Sequence, residues 1–276
     1  MTEQTSEGPP NAGDRTDKAA TPLEGMAAEI DALASGVTST LLGHLAKLPE
    51  PGRLSRETSN HIAKRLPPKA AAQHANHVGA IRLLGIEAED LGLRISRYRY
   101  IERYREYFSP PNAEVRAAFV NHIHVLRGSE IYVIMERCSD FLDFFYCLAV
   151  DLGLNPTRRS TALENAFKKS FERHLRERHR IVHAHERPSL TSRMIGLPIE
   201  QLKTPEGMKA YMGVVGGLLS MLPDESQKRM EGMSPAEVLQ HLDGVRLKAV
   251  DDECLGMWSI LTDNVSQLID RSRLLA

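Results

Sequence analysis

Residues 131–149 read IYVIMERCSDFLDFFYCLA and decide the fold class of the chain. Their apolar side chains return at steps of three and four residues, which is the spacing of one face of an α-helix. Glu136, Asp140 and Asp143 share the opposite face, where an acidic row is typical of a helix side in water. The pattern predicts a helix whose buried face consists of Ile134, Met135, Cys138, Phe141, Leu142, Phe145 and Leu148.

The same helical period continues on both sides of this segment. Apolar residues between Leu23 and Leu48 predict a long amphipathic helix that ends at Pro49. A short helix is expected around His61, and another begins near Lys69. Side-chain caps predict later helix starts at Thr161, Thr204, Asp224 and Ser234, and Gly244 indicates a helix end. We therefore predict an all-α helical bundle.

Length and composition bound the domain organisation. Of 276 residues, 42% are hydrophobic and 26% are charged, which is enough apolar material for a full-sized core. We expect a disordered tail over 1–22, an N-terminal helical region over 23–110 and a helical bundle over 111–276. The two helical regions can also form one continuous domain.

Charge, cysteine count and hydropathy exclude several classes of protein. A net charge of −1 excludes a whole-molecule field that would draw the chain onto nucleic acid or an anionic membrane. The longest apolar run, 210–222, is too short to span a bilayer, and residues 1–20 lack the apolar stretch of a secretory signal. Three cysteines favour reduced thiols over a disulfide framework. We expect a cytoplasmic protein without a cofactor.

Residues 94–108, RISRYRYIERYREYF, place four tyrosines among five arginines. This mixture of cations and stacking rings is used by proteins that bind single-stranded RNA. On a helical wheel, however, the aromatic residues fall on one side, which favours a core face over an RNA surface. The predicted core side chains are Tyr100, Ile101, Tyr104, Tyr107 and Phe108.

The basic charge of the chain is concentrated in residues 157–193. This segment carries ten Lys and Arg residues against four Glu residues, so it is the candidate RNA-binding surface. A single helix is expected here, with an apolar row that runs from Leu163 to Val182 and contains Arg178. The charge of an arginine in such a row can be accommodated in three ways. It can bind an external anion, form a buried ion pair with a carboxylate such as Asp140, or extend its side chain so that the guanidinium reaches water. The candidate RNA contacts are Arg158, Arg159, Lys168, Lys169, Arg173, Arg176 and Arg180.

The string Arg178-His179-Arg180-Ile181-Val182-His183 resembles the signature of the HEPN superfamily, the higher eukaryotes and prokaryotes nucleotide-binding domains. That signature is an Arg, usually followed by Asn, Asp or His, and then a His after four to six intervening residues. The resemblance implies a helical bundle that forms homodimers. It also implies a metal-independent endoribonuclease of a toxin–antitoxin or phage-defence system, with a protein inhibitor or antitoxin as a possible partner.

The chemistry of these side chains suits RNA cleavage. His183 titrates near neutrality and can move a proton, Arg178 can stabilise negative charge on a phosphate, and His179 can orient that phosphate. Residues five apart on a helix lie about 140° apart around the axis. Arg178 and His183 therefore cannot share one face, and a composite site between two subunits, which the resemblance implies, would bring them together.

Three alternatives remain open from the sequence. Arg173-His174 with His179 fits the same signature, but we favour Arg178 and His183 because Ile181-Val182 precede His183. His179, His183 and Glu186 share a helix face and could instead hold a metal ion. A non-catalytic helical interaction protein, or a nucleotide-binding protein, is the alternative function.

Overall fold

The structure is a computed structural model that describes residues 25–101, 113–183, 205 and 228–269. No strand occurs among these residues, so the all-α prediction is confirmed. Eight helices lie within this part of the chain: α1 (Met26–Leu45), α2 (Arg56–Arg65), α3 (Pro68–Gln73), α4 (His77–Tyr98), α5 (Ala113–Asp151), α6 (Ser160–Ser170), α7 (Glu172–His183) and α8 (Pro235–Ile269).

The long helix α5 is the centre of the bundle. It packs against α4, α6 and α7, while α1 lies along α4 and α8 crosses α4, α5 and α6. All seven apolar residues predicted for the inner face of α5 are buried. Buried side chains of α1 and α4 belong to the same hydrophobic core as those of α5 and α8. The core therefore spans both helical regions predicted from the sequence.

A predicted helix start is confirmed where a side chain caps backbone amides of the same first turn. The Ser234 amide donates to Glu237 Oε2 over 2.7 Å, and the Glu237 amide donates to Ser234 Oγ over 3.4 Å. This reciprocal capping box confirms the predicted start of α8. The predicted cap at Thr161 is wrong, because α6 begins at Ser160 without a side-chain cap. Glu164 accepts instead from Ser139 Oγ on α5, at 2.9 Å.

Two helix boundaries differ from the prediction because tertiary packing overrides local signals. The expected single helix across the basic segment is broken at Phe171, whose φ of −117° and ψ of 23° separate α6 from α7. The Phe171 ring is buried at this break. The expected end at Gly244 is absent, since α8 continues to Ile269. Glycine costs a helix about 1 kcal/mol relative to alanine, and the packing of buried residues on the later turns of α8 stabilises the helix by more than that.

The phase of residues 94–108 also differs from the prediction. Tyr98 is the buried tyrosine, whereas Tyr100 is 40% exposed. The regular helix α4 ends at Tyr98, so one helical phase does not continue through Tyr100. Ile101 packs against the core as expected.

Several predicted features lie outside the described residues. They are the tail 1–22, the apolar run 210–222, the caps at Thr204 and Asp224, and the side chains of Tyr104, Tyr107 and Phe108. Among the helices that the structure describes, none combines the length and apolar character needed to cross a bilayer.

Candidate functional site

The segment that carries the predicted site lies on α7, which crosses α5 at Gly128. A Cβ built on Gly128 would lie 2.9 Å from the backbone oxygen of His174 and 3.1 Å from Cβ of Arg178. These distances leave no room for a side chain, so glycine is what lets the two helices approach. The close crossing fixes the turn of α7 that carries Arg178 against α5.

Arg178 stacks on Tyr132, which lies one turn beyond Gly128 on α5. Its guanidinium carbon is 3.9 Å from the ring centroid, well inside cation–π range. A hydrogen bond to the Glu136 carboxylate, together with burial, raises the pKa of the Tyr132 hydroxyl. Arg178 is half-buried, and its stack on Tyr132 defines the orientation of the guanidinium.

Within the described part of the chain, the charge of Arg178 is not neutralised by a carboxylate. Its Nε is buried and has no hydrogen-bond partner. Asp140, the carboxylate considered from the sequence, pairs with Arg65 of α2, whose Nη2 lies 2.6 Å from Asp140 Oδ2. The ring of Tyr132 attracts the cation but carries no net charge, so the site retains its attraction for an anion.

The other predicted site residues follow along α7. His179 is exposed and is the next residue after Arg178. His183 is the last residue of α7, and its side chain lies outside the described residues. Arg180 is exposed on the same helix.

Of the seven basic residues predicted to bind RNA, four contact polar side chains of the same chain as follows. Arg158 pairs with Asp143 at 2.7 Å and Lys168 pairs with Glu164 at 3.3 Å, while Arg176 forms an ion pair with Glu172. Arg159 Nε donates to the side-chain oxygen of Asn264 over 3.3 Å. The other three, Lys169, Arg173 and Arg180, are exposed. The basic surface on α6 and α7 is thus partly compensated by acids of the same chain.

A largely buried polar network joins α7 to α4, α5 and α8. His174 Nε2 lies 3.2 Å from Glu253 Oε1 on α8, and the same carboxylate accepts from Arg127 Nη2 of α5 at 2.7 Å. Tyr98 Oη of α4 donates to Glu253 Oε2 over 2.7 Å. Burial alone raises the pKa of Glu253, but His174 and Arg127 outweigh burial and lower it to about 2. His174 therefore has structural partners, which favours Arg178 and His183 over the overlapping Arg173 motif.

A second polar cluster joins α2, α4 and α5. Arg65 Nε contacts Glu87 Oε1 at 2.5 Å, and the Arg65 guanidinium lies 4.8 Å above the Phe144 ring. His61 stacks on the same ring, with centroids 5.5 Å apart. Burial, partly opposed by Asp140, lowers the pKa of His61. The acidic row predicted to face water is therefore partly covered at Asp140, and this cluster ties three helices together.

The described residues contain no group of three or more His, Cys, Asp or Glu side chains placed to hold a metal ion. The metal alternative needs His183 and Glu186, whose side chains lie outside the described residues. The three cysteines are free, and burial raises the pKa of both Cys138 and Cys254 to about 12. Those two thiols are therefore not nucleophiles at neutral pH.

Sequence reasoning did not find Gly128 or Tyr132 as parts of the site. Both lie on α5, far from α7 in the chain, and the sequence offers no pairing signal between them and Arg178. One available signal was Gly128 itself, which interrupts an otherwise helical pattern and so suggests close packing.

Comparison with known proteins gives no relative: the chain matches no family model, no curated protein and no solved structure.

Proposed function

We propose that the chain is an HEPN-like, metal-independent endoribonuclease that acts on single-stranded RNA. Arg178 and His183 are its catalytic residues, and His179 orients the phosphate. As the resemblance implies, a homodimer and a protein inhibitor or antitoxin are part of the proposal.

The observation that supports the proposal best is the environment of Arg178. A guanidinium that is half-buried, stacked on Tyr132 and without a carboxylate partner among the described residues is suited to bind an anion. Arginine presents a planar fork to a phosphate, and the stack on Tyr132 restricts its rotamers in advance of binding. Gly128 lets the turn of α7 that carries Arg178 pack closely against α5.

The proposed reaction needs only acid–base and electrostatic catalysis. The ribose 2′-oxygen attacks the adjacent phosphorus, and the bond from phosphorus to the 5′-oxygen breaks. The products are a 2′,3′-cyclic phosphate and a 5′-hydroxyl. His183 takes the 2′-hydroxyl proton or protonates the leaving oxygen, and Arg178 stabilises the negative charge that grows on the phosphate oxygens.

Lys169 on α6 and Arg173 on α7 are exposed cations on the two helices of the basic segment. Arg158, Lys168 and Arg176 already pair with acids, but exposed pairs of this kind contribute only about 0–1 kcal/mol. A phosphate can therefore replace those acids at small cost. Binding should weaken with added salt, since phosphate contacts release counterions.

The test is cleavage of single-stranded RNA by the purified protein in excess chelator, with the 2′,3′-cyclic phosphate identified on the product. His183→Ala should lower the rate by a factor of about a hundred to ten thousand, and Arg178→Ala should also abolish measurable cleavage. Arg178→Lys is the sharper variant, because lysine keeps the charge and loses the planar fork. We expect it to fold normally and to cleave poorly.

Arg56 provides the matched control. Arg56 and His61 repeat the same five-residue separation, but Arg56 is exposed at the start of α2 and belongs to no proposed site. Arg56→Ala should cleave at the wild-type rate. Cleavage that the chelator stops and an added metal ion restores would favour the alternative with His179, His183 and Glu186. No cleavage of varied RNAs, alone or freed of a co-purifying partner, would leave a non-catalytic helical interaction protein as the better account.

A further inference from the structure

The outer surface of α7 carries a row of arginines. Arg173, Arg176 and Arg180 follow one another at steps of three and four residues, and all three are exposed. Over α6 and α7 together, residues 160–183 hold six Lys and Arg residues against three Glu residues. These two helices are therefore positive, although the chain as a whole has a net charge of −1.

Arg178 is the arginine of α7 that is best prepared to bind an anion. Among the described residues, its buried Nε has no hydrogen-bond partner, and its guanidinium carbon lies 3.9 Å from the centroid of the Tyr132 ring. The ring orients the cation without neutralising it. We refer to Arg178 and the three arginines of the row as the α7 cations.

Residues 1–24, ahead of α1, carry the opposite charge. They contain five Asp and Glu residues against one Arg and one Lys. Within residues 1–13, Glu3 and Glu7 are the charged side chains, and no Lys or Arg accompanies them. Both carboxyl groups are ionised at neutral pH, so one chain contains an anionic segment and a cationic helix.

Helix α1 begins close to the start of α7, because both helices contact the same stretch of α8. Trp258 Nε1 donates to Glu29 Oε2 over 2.7 Å, and Glu253 Oε1 lies 3.2 Å from His174 Nε2. Five residues separate these contacts, which corresponds to about 7.5 Å along α8. The contacts lie on different sides of a helix about 10 Å across, so roughly 20 Å separates the first turns of α1 and α7.

The segment ahead of α1 is long enough to cross this separation. Eighteen residues lead from Glu7 to Gly25, and an extended chain of that length covers about 60 Å. A binding partner on the same chain also acts at an effective concentration on the order of millimolar. Charge pairs that would be too weak between separate molecules therefore suffice for binding within the chain.

We propose that residues 1–24 bind the α7 cations of the same chain, with the carboxylates of Glu3 and Glu7 at Arg178 and at the arginine row. The contact is autoinhibitory, because the bound carboxylates occupy the positions that RNA phosphates would take. This consequence rests on the proposed ribonuclease function, whereas the contact itself does not.

The contact makes the site selective for long RNA. A short anion meets one or two of the α7 cations and competes poorly with a segment that is covalently attached. A longer RNA presents several phosphates at once, and each phosphate contact adds the release of a counterion. The N-terminal segment is therefore displaced by an extended single strand and excludes small phosphates.

Carbodiimide coupling tests the contact without RNA. The reagent joins an amine to a carboxylate that touches it, so Arg178→Lys in the full chain supplies an amine at the proposed contact. Mass spectrometry of the monomeric fraction should find position 178 linked to Glu3 or Glu7, and 1 M salt should largely prevent that link by screening. Arg56→Lys on α2 is the matched control, because Arg56 is exposed and belongs to no proposed site, and position 56 should give far fewer links.

Charge removal tests the inhibition. The double variant Glu3→Gln, Glu7→Gln should bind a labelled single-stranded RNA about three- to tenfold more tightly than the wild type, because a larger fraction of the chains has its α7 cations accessible. Glu50→Gln with Glu89→Gln removes the same charge from exposed carboxylates elsewhere, and this control should keep the wild-type affinity. Fluorescence anisotropy at low salt measures all three dissociation constants.

The two experiments separate failure of the contact from failure of the ribonuclease proposal. A link that is absent at position 178, or equally frequent at position 56, would overturn the contact. Equal RNA affinities of the two double variants would overturn the inhibition. A link at position 178 in a protein that binds no RNA in any variant would support the contact and count against the ribonuclease.

Discussion

The side chain of Arg178 illustrates how one residue can remain charged inside a helical interface. A guanidinium stays protonated under all physiological conditions, and its flat faces are weakly hydrated, so stacking on Tyr132 costs little solvation. The ring attracts the cation without neutralising it. A carboxylate in place of the ring would remove the attraction for an external anion, which is why the identity of the neighbour matters for the proposed function.

The stack between Arg178 and Tyr132 can be measured without any assay of activity. In a double-mutant cycle on unfolding by urea, Arg178→Ala and Tyr132→Leu should show a coupling free energy of about 0.5–2 kcal/mol. Tyr132→Phe should preserve that coupling because it keeps the ring. The same Tyr132→Leu variant should lower RNA cleavage, with Tyr132→Phe near wild type. Additive effects in the cycle would show that the two side chains do not support each other.

The sequence identified Arg178 because a cation interrupts an apolar row, and that property is local. Its partner Tyr132 belongs to another helix, and no periodicity links the two. Asp140 was a reasonable ion-pair candidate by charge, but α2 supplies Arg65 at 2.6 Å and takes that carboxylate. Choice of partner is set by how helices pack, which sequence patterns alone do not specify.

At the level of helices, the close crossing of α5 and α7 depends on Gly128, which has no side chain to separate them. At Gly128 an added Cβ would meet His174 backbone, which cannot rotate away as a side chain could. The whole of α7 would have to move outward, and the Arg178 stack would move with it.

Gly128→Ala should therefore lower the free energy of unfolding by about 1–3 kcal/mol, because it overpacks a close helix crossing. Gly244→Ala on α8 is the matched control, since nothing lies within 4 Å of its added Cβ. That substitution should raise stability by up to about 1 kcal/mol through helix propensity alone. Urea unfolding of both variants measures the two changes in the free energy of unfolding, which should have opposite signs. A stable Gly128→Ala protein with intact Arg178 coupling would mean that the crossing tolerates a side chain.

Helix faces were predictable from the sequence, whereas helix ends were predictable only where the signal was local. The inner face of α5 follows from period alone, and the Ser234 and Glu237 capping box lies within four residues. The break at Phe171 and the passage of α8 through Gly244 depend on contacts with distant helices. Propensity differences of about 1 kcal/mol per residue are easily outweighed by such packing.

At the scale of the whole molecule, Glu253 connects four helices. Its carboxylate contacts Tyr98 of α4, Arg127 of α5 and His174 of α7 from its own position on α8. A buried anion of this kind is unstable without partners and strongly held with them. The network was not predictable, because its members are spread from residue 98 to residue 253. It also positions α7, and thereby the proposed site, relative to the core.

The last prediction concerns the pH dependence that this network gives to folding. The pKa of Glu253 falls from an ordinary value of about 4.5 to about 2 in the folded protein, so the folded state favours the charged form. Its contribution is fully present above about pH 4.5 and is lost as the pH falls towards 2, and it amounts to about 3 kcal/mol. We expect the free energy of unfolding of the wild type minus that of Glu253→Gln to shrink across this window, as measured by urea titrations between pH 7 and pH 3. The neighbouring exposed carboxylate supplies the control: Asp252→Asn should differ from wild type by no more than about 0.5 kcal/mol throughout, because its pair with Lys248 is exposed. A wild-type advantage over Glu253→Gln that stays constant with pH would show that the carboxylate is not held as an anion, and that packing rather than charge joins the four helices.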